Sequence, residues 1–170
     1  MEEPHRRRDE LIRAIERAFE SVAREDGVGL NEAEGIDAYG TEAERAVARK
    51  RDVDVRWEEV PEAEIERHAD ILPFLDPKGW RYYLPAYMRW TLTHYGRSSS
   101  MSVDSTIYTL APGTAQELKS RALERFKTLS GNQAATVCRF LRFMCDVAGE
   151  DECDERVARE ALAYWGRFCT

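Results

Sequence analysis

Apolar side chains recur at three- and four-residue steps over much of this chain, and that period limits its fold more than any motif does. Leu11, Ile12, Ile15, Ala18, Phe19 and Val22 form one stripe, which predicts a helix over about residues 8–24. Gly27 and Gly29 end it. Asn31 reads as the cap of a short helix closing at Tyr39-Gly40, with Gly40 as a left-handed C-terminal residue. Thr41 with Glu44, Thr114 with Glu117 and Ser130 with Gln133 have the spacing of capping boxes, each opening a further helix. Pro61 begins a helical turn followed by Glu62, Glu64 and Glu66, acids that suit a positive helix end. Asp76-Pro77-Lys78-Gly79 reads as a type I turn, Trp80 to Leu84 as a brief extended piece, and Pro85 as the first position of a helix through Tyr95. Asp104 is placed to cap a short helix, and Val157, Ala161, Tyr164 and Trp165 mark a terminal one.

No alternating pattern is long enough for a sheet, no linker divides the chain, and no repeat is visible. The expectation is a mostly α, single globular domain over residues 1–170. It has about six to eight helices and at most a minor extended segment near 80–84. At 170 residues, folding buries roughly 70 % of the unfolded surface, enough for a core without metal or crosslinks. No apolar run reaches the roughly 18 residues of a membrane span, and the charged start carries no secretory signal. A cytoplasmic protein with no membrane contact is expected. The cysteines at 138, 145, 153 and 169 fit neither paired zinc ligands nor a dense disulfide framework, so free thiols are expected, with Cys138 and Cys145 packed on one helix face.

Charge is segregated along the chain. The formal net charge is −7, but residues 25–76 hold 16 acids against 6 bases, whereas residues 77–145 hold 10 bases against 3 acids. The favoured reading is internal neutralisation of one segment by the other. The sharper reading makes the basic segment an anion or nucleic-acid surface, which the overall negative charge opposes. Seven of the 17 aromatic residues fall between Phe74 and Tyr95, which reads first as a core helix. If Trp80, Arg81, Tyr82 and Tyr83 are extended, however, side chains alternate and at least one of the three rings faces outward, as at a binding hot spot.

The stretch Phe74-Leu75-Asp76-Pro77-Lys78-Gly79-Trp80-Arg81-Tyr82-Tyr83-Leu84-Pro85-Ala86-Tyr87-Met88 resembles a signature of bacterial proteins grouped as a domain of unknown function. Trp57, Val103 to Tyr108 and Cys138 to Met144 agree with it, so the resemblance spans most of the chain. It implies a single intact domain and brings no activity or site residues with it.

Catalytic candidates are sparse. His68 follows Glu64 by four residues, His94 sits near a helix end, and Asp104-Ser105 could complete a hydrolytic set with either. No nucleophile elbow, phosphate loop or metal-ligand spacing accompanies them, so no metal or cofactor is implied. The leading expectation is therefore a non-enzymatic, acidic interaction module that binds a basic protein, as an inhibitor or immunity-like accessory subunit would. Contacts are expected from Trp57, Glu58, Glu59, Glu62, Glu64 and Glu66 and from the strip Trp80, Arg81, Tyr82 and Tyr83. A homo-oligomer is compatible with the sequence. The competing expectations are a small hydrolase or transferase built on His68, His94, Asp104 and Ser105, and a nucleic-acid or anion binder using segment 77–145.

Overall fold

The computed structural model describes residues 2–97, 101–148 and 151–169. Among these residues the chain is helical without strands, folded as one compact domain. Nine α-helices are present, more than the six to eight expected: α1 (Glu2–Phe19), α2 (Leu30–Asp37), α3 (Glu42–Arg49), α4 (Glu62–Arg67), α5 (Pro77–His94), α6 (Ser102–Tyr108), α7 (Gln116–Phe126), α8 (Gly131–Phe143) and α9 (Glu155–Trp165). Single 3-10 turns lie at Trp57–Glu59, Leu72–Phe74 and Gly166–Phe168, and a π-turn at Met144–Ala148 continues α8. Among the described residues no helix is long and apolar enough to cross a membrane.

Helix α5 is the axis of the molecule. It contacts α1, α4, α6 and α7, and from Tyr82 to Met88 every residue is buried. The extended piece expected over 80–84 does not exist, and neither does the turn before it. Asp76 instead caps α5, its Oδ1 accepting from the Gly79 N–H at 2.9 Å, and Pro77 takes the first helical position, where no N–H is needed. The same oxygen accepts from the Val28 N–H at 2.8 Å, and a Cβ on Gly79 would lie 2.2 Å from the Val28 carbonyl. The Asp-Pro-x-Gly run is thus a helix start on which the segment before α2 rests. Pro85 falls inside the helix, where its ring cannot donate to the carbonyl four residues back. Burial of Trp80, Tyr83, Leu84 and Tyr87 at 0 % exposure outweighs that loss, which local propensity alone does not reveal.

Other local expectations divide. The Thr41–Glu44 and Ser130–Gln133 capping boxes form. The Thr114–Glu117 box does not, because α7 begins one residue later, with Ala115 in the cap position. The first helix runs over 2–19, not 8–24. The left-handed residue closing α2 is Tyr39, with φ 56°, and Gly40 donates to Gly35 at 2.8 Å. Asp104 lies in the first turn of α6 and accepts from the Asp154 N–H at 2.8 Å, holding the start of α9 instead of capping its own helix.

The cysteine expectation needs correction. Cys138 and Cys169 form a disulfide, their Cα atoms 5.5 Å apart, while Cys145 and Cys153 are free and buried. Packing of α9 against α8 returns the C-terminal end to the middle of α8, a proximity that a separation of 31 residues conceals. Burial pushes the Cys153 thiol up to about 12, ahead of the neighbouring acids in effect, and raises that of Cys145 as well. Closing a loop of this length restricts the unfolded chain, so Cys169→Ser is expected to lower stability by about 2–4 kcal/mol. Urea denaturation checks this: dithiothreitol should shift the wild-type midpoint to that of Cys169→Ser and leave the variant unmoved.

Candidate functional site

The start of α2 has no side-chain cap of its own. Asn31 does not cap it, as the sequence suggested, because Gly29 occupies that position. The anion comes from a remote segment. The buried carboxylate of Asp52 accepts from the backbone N–H groups of Asn31 (2.8 Å) and Glu32 (3.1 Å) and from the Asn31 side-chain amide (2.9 Å). Unpaired N–H groups and the helix dipole both favour a negative charge there. A Cβ on Gly29 would lie 2.2 Å from the Asp52 carboxylate, so only glycine lets it approach. Arg24 completes the clamp, donating to the carbonyls of Asp52 (2.9 Å) and Gly27 (3.2 Å). Glu32, buried beside it, accepts from Arg49 at 2.9 and 2.5 Å and ties α2 to α3; that guanidinium holds its carboxyl below the ordinary value of 4.5.

From Asp52 the connector after α3 alternates. Val53 and Val55 are each 79 % exposed, while Asp54 between them turns inward. Both oxygens of Asp54 lie 3.3 Å from the Tyr83 hydroxyl, which donates to them. The Tyr82 ring packs edge-on against that of Tyr83 with centroids 4.8 Å apart, and its buried hydroxyl also faces Asp54, short of full hydrogen-bond geometry. Burial first, and then the Asp54 carboxylate, push both phenols well above their usual range, so both stay protonated and able to donate to it.

Opposite the connector stands the segment from Glu59 to Arg67. Between the two, with Leu30 at the base and Val53, Val60 and Pro61 as apolar walls, lies a cleft of ≈ 530 Å³. Small-ligand and side-chain pockets span about 300–1,000 Å³. Four carboxylates line it (Asp52, Asp54, Glu59, Glu64) against two guanidinium groups (Arg51, Arg67). Arg67 is engaged, donating to Asn31 Oδ1 at 2.7 Å and Glu64 at 3.1 Å. His68 lies behind this wall at 1 % exposure, its Nδ1 2.8 Å from the Glu64 carbonyl and its Nε2 3.5 Å from Glu34.

The predicted contact residues split into two sets. Glu59, Glu62 and Glu66 are exposed, and Glu58 and Glu64 half-buried, along the rim that follows the Trp57–Glu59 turn. The aromatic set is not displayed. Trp57, Trp80, Tyr82 and Tyr83 are each 0 % exposed. The Trp57 indole donates to the Phe19 carbonyl at 3.0 Å and that of Trp80 to Thr109 at 2.8 Å. Helical geometry is the cause: the rings that an extended strip would send to alternate sides all enter the core around α5. Arg81 is half-buried with its Nε enclosed and unpaired.

The catalytic candidates are not brought together. His94 stacks on Trp90 at 4.5 Å and sits 3.5 Å from Glu62, His68 serves Glu64 and Glu34, and Asp104 serves Asp154. Among the described residues no hydrogen bond or ion pair joins either histidine to Asp104 or Ser105.

Nor does the basic segment neutralise the acidic one. Among its lysines and arginines, Lys78 alone forms an ion pair with residues 25–76 among the described residues, reaching Glu25 at 3.3 Å and Asp26 at 2.5 Å. Arg45, Arg49 and Arg67, within the acidic segment itself, do most of that pairing. Arg139 and Arg142 stay exposed and, with Arg7, border a smaller hollow of ≈ 190 Å³ between α1 and α8. The sequence did not single out Asp52, Asp54 or Arg24, and it pointed to Asn31 as a cap where the structure makes it a donor to Asp52. The alternation Asp52-Val53-Asp54-Val55 was the available signal, but it runs opposite to habit, with the valines outside.

Residues 7–168 match the model of a family of unknown function, DUF6714, and the chain belongs to that family. No curated protein and no solved structure matches it.

Removing the Asp52 carboxylate strands two backbone N–H groups and an amide, so Asp52→Ala is expected to cost roughly 2–4 kcal/mol in a urea titration. For Glu32 the folded state holds the proton more weakly than the unfolded state. Its contribution is therefore complete above pH 4.5 and fades as pH falls below that value through the folded pKa. Glu32→Gln should remove that part of the acid-side slope in stability measured against pH.

Proposed function

We propose that this chain is a non-enzymatic protein-binding module that takes a basic partner over the cleft between α2, the Arg51–Arg56 connector and the Glu59–Arg67 wall. The cleft itself carries the reading. Its carboxylates outnumber its cations, its walls are apolar, and two valines stand exposed beside it. An apolar centre with a charged rim is the usual anatomy of a protein interface. Glu59, Glu62 and Glu66 extend the negative field outward, where it steers a positively charged partner. An inhibitor or immunity-like subunit is one form of such a module. Bacterial origin and a cytoplasmic setting belong to the proposal. They carry their own check, since reducing cytoplasm disfavours a bond such as Cys138–Cys169. Mass mapping of protein alkylated in intact cells, with and without reductant, reads its state directly.

A second reading has one observation in its favour. Arg7, Arg139 and Arg142 around the α1–α8 hollow offer guanidinium groups to a phosphate or carboxylate. It competes with the −7 net charge, and a mobility-shift assay indifferent to Arg139→Glu with Arg142→Glu would dispose of it.

The main reading predicts that reversing Glu59, Glu62 and Glu66 to lysine together leaves the melting temperature nearly unchanged, because all three side chains are exposed. The same change should weaken capture of a basic partner by more than tenfold, and wild-type binding should fall steeply as salt rises. Native mass spectrometry of the protein drawn from its source cell supplies the partner. Recovery of bare protein alone, or binding indifferent to salt, overturns the reading.

A further inference from the structure

Among the cleft's carboxylates, two are already spent. Asp52 is saturated by the start of α2, and Glu64 is paired with Arg67 at 3.1 Å. Glu59 accepts only a long 3.3 Å bond from the Arg56 N–H. Asp54 differs from all of these. It is half-buried at the inner edge of the connector, and the Tyr83 hydroxyl reaches it only at 3.3 Å to either oxygen. The Tyr82 hydroxyl, on a fully buried side chain, also faces it, short of full hydrogen-bond geometry. Two phenol hydroxyls of α5 thus face one anion and can donate to it, and the long Tyr83 contacts leave lone pairs on its oxygens for a further donor. Arg51, an exposed cation lining the cleft, forms no ion pair with Asp54 or Glu59 among the described residues. Val53 and Pro61, both exposed, line the cleft with apolar surface on which the methylene stem of a long cationic side chain can rest.

We infer that Asp54, steadied by the hydroxyls of Tyr82 and Tyr83, is the receptor for an arginine or lysine side chain carried by the partner's docking segment. This rests on the basic-partner reading and adds to it the anchoring residue and the chemistry it selects. Tyr82 and Tyr83 are positioning residues: they touch the anion and not the partner. Glu59 is the second acceptor, on the solvent side.

The probe is an acetylated, amidated pentapeptide with arginine between two valines and flanking alanines. Its two counterparts replace arginine with lysine or with citrulline, which has arginine's shape without its charge. Backbone amide shifts of Val53 to Val55 should move and saturate with the arginine and lysine peptides, and the citrulline peptide should bind roughly tenfold more weakly, about 1.4 kcal/mol. Asp54→Asn should bring the charged peptides down to the citrulline level. Tyr83→Phe should weaken the charged peptides several-fold and leave the citrulline peptide unmoved, a difference that a loss of packing would not produce. Equal binding of arginine and citrulline peptides to the wild-type protein overturns the assignment without relying on any variant, as does the absence of shifts at the cleft. If the charged peptides bind wild type and Asp54→Asn alike while the Glu59, Glu62 and Glu66 reversal abolishes binding, the basic-partner reading stands and the role of Asp54 falls.

Discussion

A helix buried along most of its length gains by handing its polar side chains to neighbouring segments, because an unpaired donor in the interior costs about as much as several well-packed methylenes contribute. Helix α5 is in that position, and its polar side chains fix much of what surrounds it. Trp80 donates to Thr109 beyond α6, Tyr83 to Asp54 in the connector, Tyr87 to the His68 carbonyl at the end of α4, and Thr91 to Thr106 within α6. Arg89 reaches the Glu58 carbonyl while lying over the Trp57 ring at 5.0 Å. Three of these ties, from Tyr83, Tyr87 and Arg89, run to the segments that form the cleft, the connector and the ends of the Glu59–Arg67 wall. The rings are structural, yet they set the position of the carboxylate that faces the cleft.

Asp52 performs the complementary task from outside the core. By capping α2 across 20 residues of sequence it pins the connector, and with it the outward valines and the inward Asp54. The burial of a carboxylate is tolerable there because three N–H donors and a helix dipole replace its water. The segregation of charge then acquires a physical meaning. Arginines inside the acidic segment satisfy its buried acids, Glu32 above all, whereas Glu59, Glu62 and Glu66 remain in solvent. Of the lysines and arginines between 77 and 145, Lys78 alone forms an ion pair with that segment among the described residues, while Arg89 and Arg125 meet it only through backbone carbonyls.

Local rules were legible where both partners of an interaction lie within one turn. The Thr41–Glu44 and Ser130–Gln133 boxes and the terminal helix over Val157 to Trp165 follow from spacing alone. Reading failed where the partner is remote. Asp76-Pro77 looked like a turn because proline and glycine suit both a turn and a helix start, and the choice between them lies in the burial of Trp80 and Tyr83. The carboxylates on the rim were legible as an acidic run. Asp52 and Asp54 were not, since nothing local distinguishes a capping or phenol-bound aspartate from a solvated one.

The sequence by itself determined the helical class and the surplus of negative charge, because apolar period and residue count are properties of the chain that no packing can change. Only the tertiary structure decided that the crowded aromatics face inward, that Cys169 meets Cys138, and that the Asp54 carboxylate faces a cleft. Those outcomes depend on distances between residues tens of positions apart, and such distances exist only after the hydrophobic burial of α5 has drawn the other segments around it.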